Sequence, residues 1–253
     1  MGARGDFAGV ALNVLDPEAL AKFYVARFGM NAAVVDDEIR LTFGDASDHS
    51  SGGRGAYIAL RRSPSREPYR HQRSDRYWKI GVTLPNVDLA RRLLTEAGVE
   101  VSAPRQFRDI GCMCHLSDPQ GFQIELLQHS FEGAPRTAEG DASAPLGGGA
   151  ALGQVTLRTL DIDADRAWCE GEAGMTLLSV QPVTAHGFDL YFLATTEETP
   201  PARDLKAVEN RPWLWRRPYP VLEFQHLLDG DAALTTAEGS TGFAGLRFSE
   251  DQA

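Results

Sequence analysis

One order of signals recurs three times along this chain and limits its fold more than any other feature: a strand, a helix, then three strands. The first copy opens with VALNVLD at 10–16, where Asp16 suits a helix N-cap and Pro17 the first helical position. Leu20, Phe23, Tyr24 and Phe28 give that helix an apolar face, and Gly29 stops it. Strands are expected near 31–35, 38–43 and 56–61. The second copy begins at YWKIGVTL (77–84) and runs through the helix VDLARRLLTEAG, ended by Gly98, to strands near 99–103, 111–117 and 122–127. The third begins at GQVTLRTL (153–160), has the helix DADRAWCEGEAG after Asp161, and continues in strands near 176–183, 188–194 and 221–227. Asp161 and Asp163 read as helix-capping residues. The fold class is therefore α+β, with tandem βαβββ units forming curved mixed sheets around a cavity.

The Gly/Ala/Pro-rich stretch FEGAPRTAEGDASAPLGGGA reads as a linker at 131–150. That divides the chain into paired units over 1–130 (1–66 and 77–130) and a third unit with one extra strand over 151–253. At 253 residues and 43% hydrophobic content the chain can bury a sizeable core. The net charge of −10 argues against nucleic acid or an anionic membrane as partner. No apolar run approaches the ~20 residues of a membrane helix, and the N-terminus lacks a leader-like apolar segment, so a cytoplasmic location is expected. Three cysteines, 112, 114 and 169, read as reduced and buried rather than as a disulfide framework. The segment 61–76 carries six arginines and reads as a solvated loop or as an anion-binding or inter-subunit clamp.

SDPQGFQIELL at 117–127 is a hairpin with a puzzle in its second arm. Asp118-Pro119-Gln120-Gly121 is a turn, with Pro presetting φ and Gly closing it. Phe122, Ile124 and Leu126 then share one face, leaving Glu125 on the other, toward solvent, a partner or a cavity.

A tandem βαβββ repeat with this turn resembles the vicinal-oxygen-chelate superfamily of glyoxalases, extradiol dioxygenases and drug-resistance proteins. Two segments look most like glyoxalase I, in inverted order: KIGVTLPNVD…HLSDPQGFQIELL is similar to its second unit, and GQVTLRTLDID…FDLYFLA…VLEFQH to its first. The resemblance puts Glu125 and Glu223 on metal-ligand positions and Gln154 on a first-strand ligand position. It makes Glu125 and Glu223 the candidate catalytic carboxylates, and implies a divalent cation (Zn, Ni, Mn or Fe) held by Gln154, Glu223 and Glu125. Arg158 matches a position that helps hold glutathione, whereas Leu227 and Thr241 stand where polar or cationic groups are expected. The remaining histidine ligand is replaced by Lys79, whose protonated ammonium has no lone pair to give. In the first unit the ligand positions hold Gly9 and Ala59, and Gly245 stands at the histidine position of the strand STGFAGLRF near the C-terminus.

The implied activity is that of a glyoxalase-like metal-dependent isomerase or lyase on a small substrate with vicinal oxygens. A metal-free small-molecule-binding protein is the alternative. A ring-cleaving dioxygenase fits less well, because no two histidines occupy first-strand positions. At the level of residues two readings stand side by side: Glu125 as ligand or base, or as one half of an inward ion pair with Lys79. Arg158 likewise reads as a ligand-binding cation or as the salt-bridge partner of Glu223. His115 and His226 read as structural histidines, and His186 as an exposed turn residue. Trp213, Trp215 and Tyr219 line a pocket or cover a sheet. An odd number of units suggests a homodimer, either through two third units or with the third pairing with the second inside the chain.

Overall fold

The structure is a computed structural model that describes residues 5–44, 55–229, 233–236 and 240–249. Residues 1–4, part of the N-terminus read above for a leader, lie outside the described residues. The first unit comprises β1 (Phe7–Val14), α1 (Pro17–Phe28), β2 (Asn31–Val35), β3 (Glu38–Thr42) and β4 (Tyr57–Arg62). The second comprises β5 (Tyr77–Leu84), α2 (Val87–Glu96), β6 (Arg105–Phe107), β7 (Gly111–Ser117) and β8 (Gln123–Gln128). The third comprises β9 (Ala151–Thr159), α3 (Ile162–Gly171), β10 (Thr176–Val183), β11 (Phe188–Ala194) and β12 (Val221–Leu227), with a short helix α4 (Asn210–Leu214) between the last two strands. A final strand, β13 (Gly242–Phe248), follows.

The helix ends obey the local chemistry read from the sequence. The Asp16 carboxylate accepts from the amide of Ala19, Asn86 caps α2 at Leu89, and Asp161 caps α3 at Ala164. Gly29 adopts the left-handed conformation at φ 69° and its amide reaches the carbonyls of Tyr24 and Val25, closing α1. One strand differs from expectation. Residues 99–103 are irregular, and the strand forms at Arg105–Phe107, beyond Pro104, which has no amide to give a ladder.

The units pair differently from the expected pairing over 1–130. An eight-stranded sheet has the order β10-β11-β12-β9-β5-β8-β7-β6, so the second and third units share it. They join through β5 and β9, antiparallel, with Gly81 opposite Gln154. The first unit instead forms a five-stranded sheet, β13-β1-β4-β3-β2, in which β13 lies antiparallel on β1. The third unit therefore finds its partner inside the chain, and the reason for expecting a dimer through it lapses. The physical cause lies in the edges. β1 and β5 each open a unit, and the unpaired N–H and C=O groups along the free edge of each are taken by a later strand, β13 and β9 respectively.

The 131–150 stretch is mostly exposed and is pinned to the fold at a few points. Leu146, in the left-handed conformation at φ 55°, is buried in the kinked turn Pro145–Gly147, and Asn86 donates to the carbonyl of Glu139. The two sheets are tied by the Asp118 turn: Tyr24 on α1 donates to Asp118 at 3.0 Å, and Gln120 bridges the amide of Leu15 and the carbonyl of Asp16. The arginine-rich segment is also held down, with Tyr69 stacked on Phe122 at 4.4 Å and Arg76 paired to Asp165 at 2.6 Å. The three cysteines are buried and unpaired, as their spacing suggested.

Candidate active site

Strand alternation on the concave side of the eight-stranded sheet builds the site. Lys79 and Gly81 share one face of β5; Gln154, Thr156 and Arg158 share one face of β9; Glu125 and Glu223 project from β8 and β12. The parallel register sets Glu223 beside Thr156, and the antiparallel hairpin sets His115 opposite Glu125. Lys79, His115, Glu125, Gln154 and Glu223 meet at the floor of a cavity of about 180 Å³. A cavity of that order holds a single substituted aromatic ring, since about 150 Å³ suffices for benzene. Its walls are apolar, formed by Ile110, Met113, Leu127, Leu190, Phe192 and Trp215, with Arg105, Phe107 and Phe188 also lining it.

At the floor, Glu125 and Glu223 are 3% and 2% exposed, so every charge there must be answered locally. Lys79 Nζ lies 2.6 Å from Glu125 Oε2 and 3.9 Å from Glu223 Oε2. It also sits 4.2 Å from the centre of the Trp78 ring. His115 Nε2 reaches the same Glu125 oxygen at 2.9 Å, and its ring is 38% exposed, so it links the buried carboxylate to the surface. Gln154 spans the two acids: its amide nitrogen donates to Glu125 Oε1 at 2.8 Å and to Glu223 Oε2 at 3.2 Å. The Thr156 hydroxyl donates to Glu223 Oε2 as well. Gly81 makes room for this arrangement, because a Cβ there would stand 2.1 Å from Gln154 Cγ.

The two acids are pushed apart in acidity. Burial raises the Glu125 pKa, but the Lys79 charge and the hydrogen bonds from His115 and Lys79 outweigh it and hold the carboxyl below its ordinary range. Burial also raises that of Glu223; Lys79 opposes this, the Glu125 charge reinforces it, and the net displacement is upward. The environment thus pushes the acidities of the two acids apart, the pattern of an acid–base pair.

The structure brings Glu125, Glu223 and Gln154 together as the resemblance implied, but not as a metal-ligand set. The point where their donors converge is taken by Lys79 Nζ. Gln154 turns its nitrogen to the acids, and its oxygen, the only ligating atom it has, is buried without a partner. Among the described residues no group of three or more His, Cys, Asp or Glu is placed to hold a metal ion. The donor set fits an ammonium, not a divalent cation.

Arg158 belongs elsewhere. It is buried at the end of β9, donating to the carbonyls of Gln72 and Asp75 and to Gln225, and it touches neither Glu223 nor the cavity. It clamps the arginine-rich segment onto the sheet, which corrects its assignment as a ligand-binding cation and as Glu223's partner. Trp215 both lines the cavity and packs edge-on against Phe192, while its indole N–H donates to the carbonyl of Ile110. His226 keeps a buried ring nitrogen without a partner and lies outside the cavity lining. Sequence reasoning missed Thr156, Gly81 and Trp78 and treated His115 as structural. The turn closing at Asp118 and Phe122 carries the signal for His115, since it fixes a register in which 115 faces 125.

Residues 7–126 match the sequence model of the Glyoxalase/Bleomycin resistance protein/Dioxygenase superfamily. Over those residues, a little under half of its length, the chain is similar to that superfamily. Glyoxalase I from Zea mays superposes with a TM-score of 0.63 at 17% identity, over 95% of this chain and 72% of that one. A putative dioxygenase from Bacillus subtilis superposes with a TM-score of 0.55 at 16% identity, over 97% and 69%. At these identities the likeness shows the fold alone. A search of curated proteins found no match. The match over residues 7–126 supports a glyoxalase-like or dioxygenase-like role in outline. Among the described residues no helix is long and apolar enough to cross a membrane.

Proposed function

We propose that the cavity binds a small, largely apolar molecule carrying adjacent oxygen functions and that its carboxyl pair moves a proton on that molecule, as an isomerase or lyase of the glyoxalase kind. The observation that carries this reading is the side-by-side placement of Glu125 and Glu223, bridged by the Gln154 amide, at the floor of an apolar cavity. Glu223 is the proton-moving group, because a carboxyl with a raised pKa works closer to neutral pH than one held low. As carboxylate it takes a proton from the hydroxyl-bearing carbon next to a carbonyl and returns it to the former carbonyl carbon, while the hydroxyl proton passes to the former carbonyl oxygen. Lys79 donates to the oxygen on which negative charge develops, and Glu125 holds Lys79 in place. The apolar walls exclude water, which strengthens each of these interactions.

The test is proton exchange on 2-hydroxyacetophenone in D₂O, followed by NMR. The expected result is enzyme-dependent loss of the CH₂ signal, abolished in Glu223→Gln while the ketone still binds, as read from quenching of tryptophan fluorescence. Binding without exchange would refute turnover. It would leave a metal-free binding protein, the second reading, which the apolar lining favours.

A further inference from the structure

We propose that Lys79 is the permanent cation of this site and that its ammonium keeps divalent metal out. The inference deepens the reading of the same cavity and requires no turnover. The ammonium is held on three sides, by Glu125 Oε2 at 2.6 Å, Glu223 Oε2 at 3.9 Å and the Trp78 ring face at 4.2 Å. It is 3% exposed, on a strand paired on both sides.

The surrounding donors are committed in a way that suits an ammonium. Glu125 Oε2 accepts from Lys79 and from His115, and Glu223 Oε2 from Thr156 and Gln154. The Gln154 amide has one satisfactory orientation, because turning it over would set its oxygen against a carboxylate oxygen 2.8 Å away. A divalent ion would need that oxygen, and its own charge would meet a fixed positive charge within bonding distance of the same carboxylate. The ammonium therefore supplies the site's positive charge covalently. Unlike a metal ion, it can be neither chelated nor exchanged.

This predicts that one side chain stands between the site and a metal centre. The wild-type protein, purified without chelator, is expected to carry only substoichiometric divalent metal by plasma mass spectrometry. Its melting temperature should be unmoved by Mn²⁺, Ni²⁺, Zn²⁺ or EDTA. In Lys79→His, which replaces the ammonium by a group with a lone pair, the carboxylates lose their cation, and one divalent ion per chain is expected to bind and raise the melting temperature. Lys79→Arg should behave like the wild type. A wild-type chain holding one ion that EDTA removes with a fall in melting temperature would overturn the proposal, and so would a folded Lys79→His that gains no metal. The wild-type arm decides even if Lys79→His does not fold. Metal-free protein that catalyses no exchange would sink the enzymatic reading and leave this one standing.

Discussion

Gly81→Ala puts the geometry of the site to a quantitative test. A methyl group at residue 81 would sit 2.1 Å from Gln154 Cγ, 2.6 Å from Cδ and 2.8 Å from Nε2. Gln154 is 1% exposed and cannot retreat into solvent. The side chain must leave its bridge, and each hydrogen bond to a charged group is worth about 1.5–3 kcal/mol. Overpacking alone costs about 1–3 kcal/mol, and the stiffer unfolded chain returns about 0.4–1 kcal/mol. Taking partial relaxation into account, a net loss of about 2–4 kcal/mol is expected, read from urea denaturation. The decisive variant is the double one. Gln154→Ala removes both the bridge and the obstacle, so adding Gly81→Ala to it should cost almost nothing. The coupling energy of the cycle should match the whole penalty of Gly81→Ala alone. Additive effects would refute the claim that Gly81 is small because Gln154 must pass over it.

Two further outcomes follow from buried groups outside the cavity. Burial raises Asp118 to about 6 despite backbone hydrogen bonds from Gln120 and Phe122 and a bond from Tyr24. Because its folded pKa lies above the ordinary 3.8, the stability it contributes is complete below about pH 4 and is lost as pH rises to about 6. Over that window the wild type should lose about 3 kcal/mol relative to Asp118→Asn, measured by urea midpoints at several pH values, and parallel pH profiles would contradict it. Arg158→Met should leave the carbonyls of Gln72 and Asp75 without their donor, at about 0.5–1.5 kcal/mol each, since Gln72 is exposed and Asp75 half-buried. Hydrogen exchange should then speed up at the amides of Gln72, Asp75 and Arg76, and unchanged protection there would show that the clamp holds nothing.

What could be read from the sequence was whatever depends on near neighbours along the chain. Caps at Asp16 and Asp161, the stop at Gly29 and the alternation that turns Glu125 inward are all set within a few residues. The partnership of sheets was not legible, since β1 and β5 present similar edges and only the assembled chain decides that β9 covers one and β13 the other. Arg158 was misplaced for a related reason. It does share a face with Gln154 and Thr156, but it stands where the 71–76 segment folds back over the sheet, and no local pattern announces that return. Lys79 was visible as a departure from the ligand pattern, yet its contacts with both acids required β5, β8 and β12 in one sheet.

The crossing of β13 onto β1 also sets an order of events during synthesis. A nascent chain that has reached only residue 130 has made β1 beside β4 and β5 beside β8, but neither β13 nor β9, the strands that cover their other edges. Both are then unpaired edges on the same polypeptide, and the nearest strand available to each is the other. The family match over 7–126 covers this same stretch. Emergence of β9 must claim β5 before that competing pairing closes, and the first sheet stays incomplete until β13, some 230 residues after β1, leaves the ribosome.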